Sequence, residues 1–287
     1  MDKLLKMGPV ILALRDFPVY SRYPFRDWKL DAFSTSQGTP DLWICYEKSP
    51  VEVTGEPVEL ERSVHSRRQL YSLADGRMVW QQVSKNQLQL QLVVSADRTH
   101  IAVTADETDT FGMAVWESLT FLVFYLLLKK QVLTLHGAMV EADGKAVIFT
   151  GQSGVGKTTQ ARLWRDHKNA LVLNGDRSCV YHDGSRWMGF GTPWCGTSGE
   201  YCNRQTPIGA VVVVEKDYAN QVEPLEGLAR LQSIMPHGQI PFWGGELTEQ
   251  ALQLLDGFLA EIPVLRLRCK PDTQAVDVLA AYLENCQ

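Results

Sequence analysis

The sequence lacks the patterns that mark several common classes of protein. Its six cysteines are dispersed and include no C-x-x-C pair, which excludes a zinc knuckle and a dithiol redox motif. It also lacks an excess of positive charge, because 28 lysines and arginines stand against 33 aspartates and glutamates. With a formal net charge of −5, the chain is expected to bind neither nucleic acid nor an anionic membrane surface.

A secretory signal is missing as well. Lys3 and Lys6 precede a short apolar run, but Arg15 and Asp16 follow where a cleavage site with small side chains is required. The sequence therefore predicts that Met1–Leu14 forms a first β-strand and that the protein is cytoplasmic.

One long apolar run needs a test for membrane insertion. Phe111–Leu128 is about as long as the ~18 residues that make a transmembrane candidate. It contains Glu117, however, and a carboxylate is costly inside a span of marginal length. We therefore predict a buried helix here and no membrane partner.

The first part of the chain has the pattern of a β-rich domain. Short runs of β-forming residues alternate with turn residues, and Asp75-Gly76 between two of these runs is a hairpin signal. The pattern predicts a mainly antiparallel sheet in a domain of residues 1–108. The predicted strands are Leu42–Tyr46, Gln69–Leu73, Met78–Val83, Leu88–Val94 and Ile101–Thr104.

Residues 109–287 have the mixed pattern of an α/β domain. Two strands joined at Asp143-Gly144 lead into a glycine-rich loop and a helix, and Ile208–Val214 is a β-branched run typical of buried central strands. The predicted strands are Val132–Val140, Ala146–Thr150, Ala170–Leu173, Trp187–Phe190, Ile208–Val214 and Pro263–Cys269. The predicted helices are Thr158–Trp164, Leu225–Met235, Leu247–Leu259 and Thr273–Leu283.

The glycine-rich loop carries the strongest chemical signal. Gly151–Thr158 reads GQSGVGKT and matches G-x-x-x-x-G-K-[ST] at every fixed position, between a predicted strand and a predicted helix. In such a P-loop, backbone N–H groups surround phosphate oxygens, Lys157 reaches the β- and γ-phosphates, and the Thr158 hydroxyl faces magnesium. The helix that follows directs its positive end at the same site. We therefore predict a site for ATP, or another nucleoside triphosphate, with Mg²⁺. The predicted contacts are Gly151, Ser153, Gly154, Val155, Gly156, Lys157, Thr158 and Thr159.

The surroundings of the loop resemble one superfamily. A β-hairpin precedes the loop, and Asp176 ends a strand only 18 residues after Thr158. With Leu135-His136-Gly137 and Gly191–Gly196, these features make 133–268 similar to the HPr kinase and phosphoenolpyruvate carboxykinase superfamily, and to HPr-kinase-like proteins of bacteria in particular. The resemblance implies an α/β fold with a mixed-sheet P-loop nucleotide-binding domain, here following a β-rich N-terminal domain. It is also compatible with a homo-oligomer.

The resemblance further implies roles for two residues. Asp176 would deprotonate the acceptor hydroxyl or bind the metal, and His136 would lie close to the phosphoryl group. A carboxylate near the γ-phosphate suits phosphoryl transfer, which requires an attacking oxygen held in line. The alternatives are an aspartate that caps a turn and a histidine that belongs to the core. HPr kinases usually carry two adjacent acidic residues at this strand end, whereas this chain has Gly175 before Asp176.

Two further sets of residues are candidates for ligand binding. The segment Gly191–Pro207 is rich in glycine, threonine, serine and proline, which is typical of a substrate loop, with Trp194 and Arg204 as candidate contacts. A long hairpin connection with a solvated arginine is the alternative. Arg266 and Arg268 alternate on one strand as candidate nucleotide contacts, and a solvent-facing edge strand explains the same alternation.

The leading functional hypothesis is an ATP-dependent kinase, an enzyme that transfers the γ-phosphoryl group to a hydroxyl of a small molecule, a peptide or a protein. Lys157, Thr158 and Mg²⁺ would hold the triphosphate, and Asp176 would activate the acceptor. The alternatives are a nucleotide-sensing module without turnover and a carboxykinase-like or NTP-hydrolysing enzyme.

Overall fold

The chain folds into two compact units, Met1–Leu126 and Leu127–Gln287. The computed structural model describes residues 2–16, 30–62, 66–105, 111–241 and 245–285. Each unit is built on a mixed β-sheet, and together they give the predicted α/β class. The predicted boundary between residues 108 and 109 lies within 106–110, outside the described residues, and stays a prediction.

The described part of the first unit contains a nine-stranded sheet. Its strands are β1 (Lys3–Met7), β2 (Val10–Arg15), β3 (Ser34–Thr35), β4 (Leu42–Tyr46), β5 (Val58–Arg62), β6 (Ser66–Ser72), β7 (Met78–Ser84), β8 (Gln87–Val94) and β9 (His100–Ala105). The strand order is β3-β1-β2-β4-β9-β8-β7-β6-β5. Only β2–β4 and β4–β9 are parallel neighbours among these strands, so the predicted mainly antiparallel sheet is confirmed.

The prediction of one strand across Met1–Leu14 is wrong. The segment forms the hairpin β1–β2, in which Met7 pairs with Val10 across a turn at Gly8-Pro9. Gly8 has a φ of +51°, a left-handed conformation that glycine adopts at little cost. Gly8-Pro9 is a dipeptide that commonly marks turns, so the sequence does carry a signal for this hairpin.

The apolar run Phe111–Leu128 forms a helix, α1 (Phe111–Leu127). Val115, Leu119 and Leu122–Leu127 are buried, whereas Glu117 is exposed, as expected for an apolar helix that is buried on most sides. This confirms the predicted buried helix. Among the described residues, no helix has both the length and the apolarity needed to cross a membrane.

The second unit contains the glycine-rich loop. Its strands are β10 (Val132–Ala142), β11 (Lys145–Thr150), β12 (Leu171–Asn174), β13 (Arg177–His182), β14 (Trp187–Phe190), β15 (Gln205–Lys216), β16 (Gln221–Pro224) and β17 (Val264–Cys269). Its helices are α2 (Lys157–Lys168), α3 (Gly227–Ile234), α4 (Glu246–Glu261) and α5 (Thr273–Asn285). Short 3-10 helices form at Leu128–Lys130, Gly196–Ser198 and Met235–His237.

Two long strands, β10 and β15, change neighbours along their length. The first half of β10 pairs with β13, and its second half pairs with β11 and β12. The start of β15 pairs with β14, whereas its β-branched second half pairs in parallel with β11 and β17. Strand β11 therefore lies between β10 and β15, and its last residue, Thr150, pairs with Gly137 on one side and Val213 on the other.

Apolar residues cover both faces of this sheet. On one face Phe149, Val212 and Leu267 pack with Trp164 of α2 and Val276 of α5. On the other face Ile148, Val211 and Val264 pack with helices α3 and α4. Strands buried on both faces carry continuous apolar runs, which is why the sequence identifies β11, β15 and β17 well.

Helix α4 provides a test of the second core. Phe258 is fully buried, and its ring packs edge-on against the ring of Trp187, with the two ring centroids 5.1 Å apart. We expect Phe258→Ala to lower the free energy of unfolding by about 3–5 kcal/mol in urea denaturation, because it leaves a cavity. Leu252→Ala is the matched control on the same helix, where the leucine is 42% exposed. Equal effects of the two changes would contradict the assigned packing.

Candidate phosphate-binding site

The glycine-rich loop connects β11 to α2, as the sequence predicts. Gly151, Gly154 and Gly156 have φ values of +138°, +74° and +117°, so the turn uses conformations that other residues rarely adopt. A Cβ on Gly151 would also lie 2.9 Å from the carbonyl oxygen of Val214, which makes a side chain there impossible without movement of β15. The loop therefore needs glycine at these positions.

The predicted triphosphate contacts lie together on the loop and at the start of α2. Ser153 and Gly154 are exposed, and Thr158 is half-buried in the first turn of the helix. The Lys157 ammonium donates to the carbonyl oxygens of Gly151 and Gln152 at 3.0 and 3.1 Å, so it lies over the loop. The N-terminal end of α2, with its free N–H groups, faces the same space.

Asp176 and His136 lie side by side next to this loop. The last pair of the β10–β13 ladder joins His136 to Arg177, which places Asp176 at the edge where β12 turns into β13. His136 Nε2 is 3.3 Å from Asp176 Oδ1, and the Gly137 N–H donates to the Asp176 carbonyl at 2.9 Å. The two residues that the resemblance singled out are therefore in contact.

The Asp176 carboxylate has cationic neighbours on several sides. Arg177 Nε is 3.3 Å from Asp176 Oδ2. Burial raises the pKa of Asp176, but the hydrogen bond from His136 and the charges of Arg177, His136 and Lys157 outweigh burial and bring this pKa below its usual value. Asp176 is therefore ionised at neutral pH.

Lys157 is electrostatically linked to the same carboxylate. Burial lowers the pKa of the Lys157 ammonium, Asp176 opposes this shift, and Arg177 adds to it, with a net pKa below the usual value. The lysine and the carboxylate thus share one small region at the end of β11.

Asn174, at the end of β12, fixes the backbone around Asp176. Its buried amide oxygen accepts from the N–H groups of Asp176 and Arg177 at 2.9 and 2.7 Å. Its amide nitrogen donates to Thr192 O, Thr192 Oγ1 and Trp194 O at 3.0–3.2 Å. One side chain therefore connects the Asp176 turn to the segment Gly191–Pro207.

Gly175 has no space for the second acidic residue that HPr kinases carry. A Cβ on Gly175 would lie 1.9 Å from Ser198 Oγ and 2.6 Å from Ser198 Cβ. The Ser198 hydroxyl is held in place, because it donates to the Cys195 carbonyl at 2.6 Å. The space beside Asp176 is thus filled by the loop, and a glycine is required there.

Of the two candidate substrate contacts of this loop, Trp194 is buried and Arg204 lies apart from the phosphate site. The Trp194 side chain is 3% exposed, and its carbonyl accepts from the Asn174 amide at 3.2 Å. Arg204 Nη2 is 2.7 Å from Oε1 of Glu141, five residues beyond His136 on β10. At about 3.3 Å per strand residue, Glu141 lies about 17 Å from His136 along β10. Their predicted role in substrate recognition remains untested.

Arg266 and Arg268 lie on β17, next to the end of β15. Each contacts both Glu215 and Glu223, at distances between 2.7 and 3.5 Å. Arg266 pairs across the parallel ladder with Val213, which is level with Thr150. The structure thus places both arginines on the β15 side of the loop with their charges balanced by two carboxylates.

A cleft of about 550 Å³ adjoins the loop on this side, and sequence reasoning missed part of it. It is lined by 151–155, by 213–216 at the end of β15, and by Gln232, Ser233, Pro236 and His237. Burial and, to a smaller extent, the charges of Lys157 and His136 lower the pKa of His237. The Gln239 N–H donates to Thr134 O at 2.8 Å and so attaches this segment to β10. This segment follows the loop by about 80 residues in the sequence, and so distant a contact leaves no local signal.

Comparison with known proteins places the chain in a family. A family model described as SynChlorMet cassette protein ScmC matches residues 100–253, more than half of the chain. The chain belongs to this family. The ScmC match includes the P-loop, Asp176 and His237, whereas Arg266 and Arg268 lie beyond it.

Two other comparisons say little about the activity of this ScmC protein. No curated protein matches the chain in sequence. Among solved structures, the chain is similar to the HPr(Ser) kinase/phosphatase from Coxiella burnetii, with 10% identity, coverage of 53% of this chain and 97% of that chain, and a TM-score of 0.33. A likeness of this degree assigns no activity to the ScmC protein.

The contact of Gly175 with Ser198 can be tested by stability. We expect Gly175→Ala to lower the free energy of unfolding by about 1–3 kcal/mol, because the new methyl group overlaps the serine side chain. In a Ser198→Gly background the same change should cost much less, and a double-mutant cycle in urea measures the coupling. Additive effects of the two changes would show that the contact is absent.

Proposed function

We propose that this protein is an ATP-dependent kinase that transfers the γ-phosphoryl group to a hydroxyl of a small molecule, a peptide or a protein. The observation that carries the proposal is the contact between Asp176 and His136 beside the P-loop lysine. A P-loop alone is compatible with many activities. A carboxylate and an imidazole next to it supply groups that can act on an attacking oxygen.

The loop and the start of α2 would bind the triphosphate. The loop glycines let backbone N–H groups turn toward phosphate oxygens, and Lys157 contributes a charge at the β- and γ-phosphates. Lys157 already lies over the loop, so a bound phosphate would replace its two carbonyl contacts with hydrogen bonds between groups of opposite charge.

The residues present fit a magnesium ion. The Thr158 hydroxyl and the Asp176 carboxylate are hard oxygen ligands, and Mg²⁺ binds few such protein ligands together with phosphate oxygens. When bound there, the ion would neutralise charge on the phosphates. Because Asp176 is ionised at neutral pH, it is suited to this role without loss of a proton.

Asp176 would also orient the acceptor. Its lowered pKa makes it a weak base, so its main contribution would be to accept a hydrogen bond from the acceptor hydroxyl and hold the oxygen in line with the γ-phosphate. His136 and Arg177 hold the carboxylate from two sides, and the Asn174 amide fixes its backbone.

A second candidate function is a nucleotide sensor without turnover. It is favoured by the packing of Ser198 against Gly175, which leaves a single carboxylate at the strand end. Both functions use the same loop and the same nucleotide. The predicted cytoplasmic location and the homo-oligomer remain predictions under either function.

Variants of Lys157 and Asp176 test the proposal. We expect Lys157→Ala to weaken ATP binding in calorimetry with Mg²⁺ by about tenfold or more, because a charge-assisted contact is lost. Asp176→Asn should still bind ATP but lower phosphoryl transfer from labelled ATP to a metabolite and peptide panel by about 100-fold or more.

Asp183→Asn, in the exposed turn before β14, is the matched control and should leave both measurements unchanged. Transfer by Asp176→Asn at the rate of the unchanged protein would refute the role of Asp176. ATP binding without transfer to any acceptor would favour the sensor, and absence of ATP binding would refute both functions.

A further inference from the structure

We propose that the cleft on the β15 side of the P-loop binds the nucleoside part of the triphosphate, with Glu215 as the acceptor for the ribose hydroxyls. This inference rests on the proposed function. The inference adds a binding surface for the sugar and base to that function, made by β15 and the segment around α3.

The position of Asp176 sets the direction of the ligand. Asp176 and His136 lie on the β10 side of β11, whereas the cleft extends along the loop to residues 213–216 of β15, with a second wall at Pro236 and His237 that is attached to β10. The γ-phosphate must be near Asp176 for transfer, so the rest of the nucleotide extends across the loop toward β15. Ligands of α/β sheets generally lie at the carboxyl ends of neighbouring parallel strands, and β11 and β15 are such a pair.

The cleft has the size and the polar groups for a nucleoside. Its volume of about 550 Å³ lies within the usual range of about 300–1,000 Å³ for small-molecule sites. The exposed Gln232 and the half-buried Ser233 line it from α3, and within the described part of the chain neither side chain has a hydrogen-bond partner in the protein, so both can bind a ligand in place of water. An amide and a hydroxyl without partners are suited to the edge of a base.

Glu215 is positioned for the sugar. It stands near the end of β15, where a carboxylate can accept from ribose hydroxyls in nucleotide-binding sheets. Arg266 is 3.0 Å from its Oε1, and Arg268 is 3.5 Å from its Oε2. These contacts orient the carboxylate and leave it lone pairs for a ligand, because each oxygen accepts more than one hydrogen bond.

The opposite wall is fixed to the same sheet. Gly238 forms a bridge with Leu135 on β10, and the Gly238 N–H donates to Met235 O at 3.2 Å. Pro236 and His237 therefore face the loop from a segment attached to the β-sheet. The cleft has walls held by backbone contacts, as a pre-formed ligand site requires.

The experiment compares ATP with tripolyphosphate, which has the phosphates but no nucleoside, in calorimetry with Mg²⁺ on the full chain. We expect Ser233→Leu, which narrows the cleft, to weaken ATP binding by about tenfold or more and to leave tripolyphosphate binding unchanged. Glu215→Gln should reduce the preference for ATP over 2′-deoxy-ATP by about tenfold, because a hydrogen bond to a charged acceptor is lost. Ala229→Leu, on an exposed position of the same helix outside the cleft, is the matched control.

Each other outcome has one meaning. If Ser233→Leu weakens ATP and tripolyphosphate binding equally, the nucleoside assignment is overturned. Unchanged ATP binding in this variant would also overturn it and would indicate that the cleft binds the phosphoryl acceptor. If the unchanged protein binds tripolyphosphate as tightly as ATP, the nucleoside site fails while the phosphate site stands. If it binds neither ligand, the proposed function fails and this inference fails with it.

Discussion

The candidate site depends on one buried side-chain amide, that of Asn174. Its oxygen accepts from two backbone N–H groups at the Asp176 turn, and its nitrogen donates to three oxygens in the loop that follows β14. An amide with all of these contacts inside the protein is satisfied, whereas each buried group left without a partner costs about 1–3 kcal/mol. The orientation of Asp176, the path of the Thr192–Trp194 segment and the packing of Ser198 on Gly175 all follow from this amide.

This arrangement explains why a single carboxylate stands at the strand end. The loop that Asn174 holds passes so close to β12 that Gly175 and Gly196 both lack space for a side chain, the first against Ser198 and the second against Asp176. A second acidic residue would have to displace that loop and with it the contacts of Asn174. The chain therefore has a tightly enclosed carboxylate in place of a pair.

The sequence predicts those parts of the site that local geometry determines. The P-loop follows from its own glycines and from the strand and helix on either side, and the Asp176 position follows from the short path after Thr158. The contacts of Arg204 with Glu141 and of Arg266 with Glu215 depend on the register between distant strands, which composition and spacing leave open. The same holds for His237, whose segment is attached to the sheet through its pairing with β10. The hairpin β1–β2 differs, because it is local and its Gly8-Pro9 turn can be found in the sequence.

The distribution of charge has a consequence for the ligand. Near the loop, Arg266 and Arg268 are balanced by Glu215 and Glu223, and Arg177 contacts Asp176, whereas Lys157 lies over the loop and Lys216 lines the adjoining cleft. Two ammonium groups and the N-terminal end of α2 neutralise only part of the charge of a triphosphate. A Mg²⁺ ion held by Thr158 and Asp176, as proposed, would supply further positive charge, and the site would then bind a metal-bound nucleotide in preference to the free anion. In the proposed nucleoside site, the balanced arginines would position the Glu215 carboxylate for the sugar.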